Sequence, residues 1–383
     1  MTTRCAPASS GPVPAANIGR FSFELATPAD NEDLLRFAAQ ADMPGAIQFS
    51  LDRSPDYLAA LRVEGRDNEV LICRETKTGK LVATGHRSIK NVFVNGRSTP
   101  VGYLSGLRVG PRVRNGMFLS KGYEQLHALH VRRPASFYLT TIMEENLPAR
   151  KVLERLALPA YHDLGQFCCM AASLAGKAGV SSEFRLRPAN AADAIAVVGF
   201  LNREGRTKQF FPQYRVEDFG RSDGLLPCLN WNDVFLAFHG TELAGVLAAW
   251  DQQAFRRWHV TGYSPWLRWS RHLLNLGAKL RRLPLLPSPG SPPNYFNLAL
   301  ICIRDNNRKI FGALLDMVLR AHQGRYAFFL AGLHKRDPLL PELLSRAHVP
   351  LTSRLYRVDW EKESGAVQSV EDLRVPYLEL GSL

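Results

Sequence analysis

The stretch Val101-Gly-Tyr-Leu-Ser-Gly-Leu-Arg-Val109, followed by Gly-Pro-Arg-Val-Arg114, indicates the fold of this 383-residue chain more clearly than any other. It reads as an apolar strand that runs into a basic loop, and Asn115 to about Arg132 then reads as a helix. The pattern recurs in Tyr295-Phe-Asn-Leu-Ala-Leu-Ile-Cys-Ile303, the loop to Arg308 and a helix to about His322. In both copies the loop arginine stands five residues after the strand end. A strand, a basic loop and a helix that occur twice predict an internal repeat.

The elements around this unit also occur twice. Each copy begins with a short strand, at Phe21 or Phe184, which leads into a helix, and continues with a hairpin that turns at Gly79 or Gly240. Each copy ends with a strand and a helix, at 136–142 and 146–156 in the first and at 326–333 and 338–347 in the second. This order predicts an α/β fold with a mixed sheet in each of two tandem domains.

The domain boundaries follow from the linker compositions. We expect a flexible leader at 1–19, an N-terminal domain at 20–174, a linker at 175–182, a C-terminal domain at 183–361 and a tail at 362–383. The tail contains Val375-Pro-Tyr-Leu-Glu-Leu380, which reads either as a late strand or as a docking segment.

The second copy carries an insertion at about 252–293. Gln252 to Pro287 contains no acidic residue and seven basic ones, a large part of the net charge of +13. Pro265–Leu283 is predicted to be a helix with one apolar stripe: Trp266, Trp269, Leu273, Leu276, Leu280 and Leu283. Two interpretations stay open: an interfacial helix on an anionic membrane, or a domain-docking helix whose stripe lies on the core.

Composition limits the class of protein. With 46% hydrophobic and 22% charged residues, the chain is neither disordered nor a coiled-coil rod. The six cysteines form no CxxC pair and show no zinc spacing, so we expect no metal and a reducing, cytoplasmic location, with membrane attachment at most peripheral. No stretch of sequence reads as a signal peptide or a transmembrane helix. The excess of Lys and Arg over Asp and Glu favours an anionic partner.

In its setting, the repeated unit resembles the acetyl-CoA site of the GNAT (N-acetyltransferase) superfamily. There a strand ends in a Val-x-Pro-like turn, and an Arg/Gln-x-x-Gly-x-Gly/Ala loop holds the pyrophosphate. The first copy has Val109, Pro111 and Arg114 at the matching positions, although Met117 and Leu119 replace small residues. Asn146-Leu-Pro-Ala149 matches a second family motif, Asn-x-x-Ala. In the second copy Arg308 and Ala313 match, but Phe311 replaces a glycine, Asp305 adds a negative charge and the asparagine is missing.

The resemblance therefore implies two GNAT-like acyltransferase domains, with acetyl-CoA or another acyl-CoA held by the first. The cofactor-binding residues that it implies are Leu107, Val109, Arg112, Arg114, Asn115, Gly116, Met117, Phe118, Leu119, Asn146 and Ala149.

The reaction so implied is direct transfer of an acyl group from CoA to an amine of a small molecule or peptide. Glu144 and Glu145 are candidate general bases, or a pair that complements a helix dipole; Tyr103 is a candidate catalytic residue, or a core tyrosine. Two alternatives remain: an aminoacyl-tRNA-dependent transferase, and a non-catalytic module that binds a membrane or partner. Outside the tRNA alternative, the sequence resembles no nucleic-acid-binding module.

Overall fold

In a computed structural model, the described residues are 16–40, 45–110, 116–156, 158–174, 183–281, 283–291, 294–360 and 372–383. The strands of the first part of the chain are β1 Ala16–Ile18, β2 Phe21–Leu25, β3 Ile47–Asp52, β4 Asp67–Glu75, β5 Leu81–Val94, β6 Arg97–Val109, β7 Tyr138–Met143 and β8 Ala160–Ala172. Those of the second part are β9 Arg185–Pro188, β10 Phe219–Gly220, β11 Leu226–Pro227, β12 Val234–His239, β13 Glu242–Trp250, β14 Arg257–Tyr263, β15 Tyr295–Ile303, β16 Phe328–His334, β17 His348–Pro350 and β18 Ser353–Asp359.

The helices match the sequence pattern closely. They are α1 Asn31–Ala39, α2 Gly116–Arg132, α3 Leu147–Leu153, α4 Ala194–Gly205, α5 Pro265–Leu280, α6 Arg308–His322 and α7 Leu340–Leu344. Both repeats begin as predicted, because Asp30 and Asp193 each close a capping box before the first helix. In the described ranges, no helix is long and apolar enough to cross a membrane.

One mixed sheet of fourteen strands runs through both halves, in the order β1-β2-β4-β5-β6-β7-β18-β8-β16-β15-β13-β12-β9, with β17 also on β8. At its centre the halves exchange strands. The C-terminal strand β18 pairs with β7 of the first half, from Ser353↔Met143 to Val358↔Tyr138. Strand β8, from the first half, pairs with β16 of the second. The sheet of each half is therefore completed by a strand of the other.

Helices cover the first-half sheet on both faces. On one face α1 and the 3-10 helix Ala59–Val63 pack against Val70 and Ile72 of β4. On the opposite face α2 and α3 pack against alternate residues of the same strand, Leu71 and Cys73. In the second half α4 and α6 bury their apolar faces in a larger core. This layered arrangement is the one that the repeat predicts.

The insertion joins the two halves. Its strand β14 pairs with β3 of the first half in a separate two-stranded sheet, from Arg257↔Asp52 to Tyr263↔Ile47. Helix α5 begins directly after this strand, at Pro265. The insertion therefore lies against the first half, although the chain enters it from the second.

Several sequence expectations fall outside the described residues. These are residues 1–15 of the predicted leader, the whole predicted linker 175–182, and the first ten residues of the predicted tail, 362–371. The rest of the tail, 372–383, packs against both halves instead of adding a strand to the main sheet: Tyr377 lies in the core of the second half, and Leu378 packs with Val92 and Tyr103 of the first.

Candidate active site

The parallel strands β6 and β7 separate almost as soon as they meet. They pair at Gly102↔Tyr138 and Tyr103↔Leu139. Beyond these two positions β6 continues to Val109, while β7 continues to Met143 and pairs on its other side with β18. In the described ranges no strand pairs with the β7-facing edge of residues 104–107. The peptide groups on that edge are available to an extended ligand.

A β-bulge in β6 accompanies the separation. The register with β5 shifts between His86↔Ser105 and Thr84↔Arg108, so that Gly106 and Leu107 together oppose Gly85. Gly106 has φ +59°, which a residue with a side chain rarely adopts. The Thr84 hydroxyl donates to the Gly106 carbonyl at 2.9 Å. An extra residue bends the bulged strand, and this bulge begins three residues beyond the last pair of β6 with β7.

The ring of His86 lies against this bulge. A Cβ atom at position 106 would be only 2.1 Å from the ring carbon Cε1. The ring nitrogens contact the Tyr57 hydroxyl at 3.0 Å and Ser105 Oγ at 3.2 Å. Burial, and then the positive charges of neighbouring arginines, hold the pKa of His86 well below its ordinary value, so the imidazole is neutral.

A directed chain of hydrogen bonds runs through His86 to a buried carboxylate. Ser105 donates to Glu64 Oε2 at 2.5 Å, so the Ser105 oxygen is left to accept from the Nδ1–H of His86. The other ring nitrogen then accepts from the Tyr57 hydroxyl. Glu64 is fully buried and pairs with Arg53 at 3.3 Å and with Arg256 of the insertion at 3.7 Å. The conformation of the bulge is therefore fixed by both halves of the protein.

Tyr103 lies where β6 and β7 divide. Its hydroxyl contacts Thr141 Oγ1 on β7 at 2.8 Å, so the side chain bridges the two strands. It is 7% exposed and packs with Leu139 and Phe210. Burial raises the pKa of Tyr103, so the phenol stays protonated at neutral pH.

The two predicted acidic residues have different surroundings. Glu144 is half-buried and accepts from Gln166 Nε2 at 3.0 Å, with Arg354 at 3.6 Å. Glu145 is exposed and lies beside Gly45. Both follow Thr141, which the Tyr103 hydroxyl contacts, by three or four residues, about 10–13 Å along extended chain. Among the described contacts, neither carboxylate bonds directly to Tyr103.

The structure describes some, but not all, of the residues predicted to bind the cofactor. Arg112, Arg114 and Asn115 lie outside the described residues. Gly116 and Met117 form the first turn of α2, so an N-terminus without acidic residues in its first turn follows shortly after β6. Leu107 is 43% exposed in the bulge, and Val109 ends the strand. Free amides at a helix N-terminus are the usual setting for a bound phosphate.

The other residues predicted to bind the cofactor pack in the core or cap a helix in this structure. Phe118 is buried, with its ring 5.2 Å from that of Phe21. Leu119 and Ala149 pack on the edge of the same core cluster. The side chain of Asn146 caps α3 by accepting from the amide of Ala149 at 3.3 Å.

The second half has the same separation of strands, but its opening is filled. Strands β15 and β16 pair from Tyr295↔Phe328 to Asn297↔Leu330. Beyond that point the tail enters the gap with Leu380–Ser382 as a 3-10 helix. Glu379 Oε2 accepts from the amide of Leu300 and from the Tyr377 hydroxyl, both at 2.9 Å. The chain itself thus satisfies backbone groups in this gap.

The helix N-terminus of the second half is also engaged internally. Asn307 caps α6 by accepting from the amides of Lys309 at 2.9 Å and Ile310 at 3.3 Å. Arg308 Nε donates to the Pro338 carbonyl at 2.7 Å, and Phe311 is fully buried. Of the two repeats, the first therefore has the more available strand edge.

The sequence analysis did not predict a small cavity between the halves, which is lined mostly by apolar side chains but also by two charged ones. Lys90 and Tyr103 line it from the first half, and Glu379 lines it from the tail. Burial raises the pKa of Glu379 to about 7 and lowers that of Lys90 to about 8. The sequence does contain a pattern that indicates polar groups inside the protein. His86, Ser88 and Lys90 alternate along one strand and so share one face of a central sheet. The described residues contain no group of three His, Cys, Asp or Glu side chains that could hold a metal ion.

Comparison with known proteins places this geometry in a fold family. No family model matches the sequence, and no curated protein matches it. Among solved structures, an N-myristoyltransferase from Saccharomyces cerevisiae with bound myristoyl-CoA superposes with a TM-score of 0.57 at 12% identity, over 94% of this chain and 88% of that one. A conserved protein of unknown function from Enterococcus faecalis, described as a probable N-acyltransferase, gives 0.50 at 9% identity over 88% and 72%.

A third structure is the GCN5-related glucosamine N-acetyltransferase region of a fungal multi-domain β-N-acetylglucosaminidase. It gives a TM-score of 0.57 at 12% identity, with 90% of this chain covered but only 38% of that one. Likeness at such low identity shows the fold. The chain has the GNAT fold, with two GNAT-like units in tandem, and the predicted fold class is confirmed.

Proposed function

We propose that this protein is an acyl-CoA-dependent N-acyltransferase whose first half holds the donor. The observation that carries the proposal is the edge of β6 at residues 104–107, which no strand of the described residues covers and which leads toward the N-terminus of α2. An extended pantetheine arm can form hydrogen bonds with a free strand edge, and a pyrophosphate suits a helix N-terminus. The structural neighbours described as N-myristoyl-, N-acyl- and N-acetyltransferases support the same proposal.

The residues have distinct roles in this proposal. Arg112 and Arg114, which precede α2 in the sequence, supply charge-assisted hydrogen bonds to phosphate oxygens. Peptide N–H groups near the Gly106 bulge polarise the thioester carbonyl. The amine nitrogen bonds to the carbonyl carbon as the carbon–sulfur bond breaks, and the CoA thiolate leaves. Tyr103, neutral because it is buried, is the proposed proton donor to this sulfur.

The general base of the proposal is Glu145, which would accept the amine proton through water because its carboxylate makes no direct bond to Tyr103 among the described residues. It is exposed at the end of β7, whereas Glu144 is held by Gln166 and Arg354. Glu145→Gln should lower kcat, while Glu144→Gln serves as the matched control. Equal losses in both variants would contradict the assignment of the base to Glu145.

An apolar pocket beside the bulge is the proposed site of the acyl group. It lies between the sheet and α2 and is lined by uncharged residues that include Gly85, Leu107, Phe118, Leu119 and Leu126. Acetyl-CoA and longer acyl-CoA donors should therefore both be tested, because each additional CH₂ that is buried adds about 0.8 kcal/mol of binding free energy.

Titration calorimetry with acetyl-CoA and with longer acyl-CoA tests the function directly. Arg114→Ala should weaken donor binding by about 10- to 150-fold, the range expected when a charged hydrogen bond is lost. Arg308→Ala, at the equivalent position of the second half, should leave the affinity unchanged. Absence of binding to the intact protein would refute the proposal, and the reverse pattern of the two variants would move the donor site to the second half.

A further inference from the structure

Helix α5 presents its apolar side chains to solvent. Trp269, Leu273 and Leu280 are 85%, 75% and 83% exposed, and Trp266 and Leu276 are 63% and 61% exposed. At the helical rotation per residue, these five side chains lie within an arc of about 80°. They therefore form one continuous stripe, which we call the α5 stripe. The predicted helix is confirmed to Leu280, and the alternative in which its stripe lies on the core is wrong.

The opposite face of α5, which includes polar residues, is the one that packs on the protein. Leu267 is buried with Val260 and Tyr263. The side chain of Asn275 bonds the Leu286 main chain in both directions, donating at 3.0 Å and accepting at 2.8 Å. Arg271 Nη1 also lies 3.5 Å from the Leu286 carbonyl and 3.3 Å from a serine hydroxyl. These bonds fix the rotation of the helix, with the stripe facing outward.

This orientation is the reverse of that of an ordinary surface helix, which turns its apolar side inward. Hydrogen bonds from the inner face hold the helix in place, so exposure of the stripe does not come from loose attachment. A stripe of two tryptophans and three leucines that the fold turns toward water indicates an apolar surface outside this chain.

Charge distinguishes among the surfaces that could cover the stripe. The exposed side chains of Arg268 and Lys279 lie on one side of it, and that of Arg281 lies on the other. Residues 252–287 contain no Asp or Glu. A second copy packed through the same stripe would bring these like charges together, which is unfavourable. An anionic bilayer instead receives the tryptophans and leucines at its acyl boundary and the cations among its headgroups.

We propose that α5 is an interfacial helix that attaches the protein to an anionic lipid bilayer. The helix lies in the plane of the membrane, with the α5 stripe below the headgroups and the inner face still bonded to Leu286. This inference rests on the exposed stripe and its charges, so it stands independently of the proposed acyl transfer.

Co-sedimentation with vesicles tests the proposal on the full chain. The intact protein should bind vesicles rich in phosphatidylglycerol and bind pure phosphatidylcholine much more weakly, with the difference reduced by salt. Trp269→Ser combined with Leu273→Ser should weaken binding at least tenfold. Ile195→Ser is the matched control, because Ile195 is an exposed aliphatic residue, 82% accessible, on a different helix. All variants should keep the melting temperature of the intact protein, since these side chains are exposed.

Other outcomes would overturn the proposal. Failure of the intact protein to bind phosphatidylglycerol vesicles would do so, as would equal binding by the stripe variant and the control. A dimer in sedimentation velocity that the stripe variant abolishes, with no vesicle binding, would assign the stripe to a second copy instead. Quenching of tryptophan emission by brominated lipid, lost when Trp266 and Trp269 are both replaced by phenylalanine, would support insertion of this face.

Discussion

Gly106→Ala should destabilise the protein much more than Gly79→Ala, although both glycines have a left-handed backbone, with φ of +59° and +67°. The difference lies in their surroundings. A Cβ atom at Gly79 meets nothing within 4 Å, whereas one at Gly106 meets the ring of His86 at 2.1 Å. The pair therefore separates the effect of backbone strain from that of the contact with His86.

The magnitudes follow from the local contacts. A left-handed conformation costs about 1–2 kcal/mol for a residue with a side chain, and both variants have this in common. In Gly106→Ala the His86 ring must also move, which breaks its contacts with the Tyr57 hydroxyl and Ser105 Oγ, at 3.0 and 3.2 Å. A buried hydrogen bond contributes about 1 kcal/mol, and more when its partner is left unsatisfied. We therefore expect Gly106→Ala to lose about 2–4 kcal/mol more free energy of unfolding than Gly79→Ala.

Urea denaturation of the two single variants, of His86→Ala and of the double variant His86→Ala with Gly106→Ala measures the effect. Once the ring is gone, alanine at 106 meets no obstacle from it, so the double variant should be more stable than the sum of the single effects predicts, by about 2 kcal/mol. Equal stability of Gly106→Ala and Gly79→Ala, or additive single effects, would refute the contact between the His86 ring and the bulge.

Two further predictions concern the buried charges between the halves. Because the folded protein raises the pKa of Glu379 from about 4.5 to about 7, it holds a proton there that the unfolded chain releases; the free energy of unfolding should fall between pH 4.5 and 7, by up to ~3 kcal/mol. Urea denaturation across this range should show the fall, and the free energy of unfolding of Glu379→Gln should depend less on pH. If the variant keeps the slope of the intact protein, other groups cause the pH dependence. Arg256→Met removes one of the two arginines that pair with the buried Glu64 and should destabilise the protein by about 3–5 kcal/mol. Arg221→Met, which breaks an exposed ion pair, should have little effect in the same assay, and similar losses in both would contradict the buried role of Arg256.

The repeat predicted most of the fold because local patterns encode it. The strand that ends at Val109, the helix after it and the matching pair in the second half depend on alternation and helical spacing over short stretches. Capping residues also act locally, so the starts of α1 and α4 were predictable within a residue or two. The tail at 372–383 had two open readings, and the docked form is the one observed.

Long-range pairing could not be predicted in the same way. Nothing in the sequence of β18 shows that it inserts between β7 and β8, and β3 and β14 pair across about 200 residues. The candidate site was predicted in its strand, loop and helix, but the buried network from Tyr57 to Glu64 was missed. Its members come from separate segments and meet only after folding. The filled opening of the second half likewise depends on where the tail docks.

The exchange of β8 and β18 has a consequence for how the protein is made. About 210 residues separate the end of β7 from the start of β18, so a ribosome must add most of the second half before the N-terminal sheet can be completed. Until then the edge of β7 is open, and an open strand edge favours association with other chains. The first half should therefore not behave as an independent folding unit. A chain that stops before Ser353 should be recovered mainly as aggregate or bound to chaperones, and a separately supplied segment that contains β18 should rescue it.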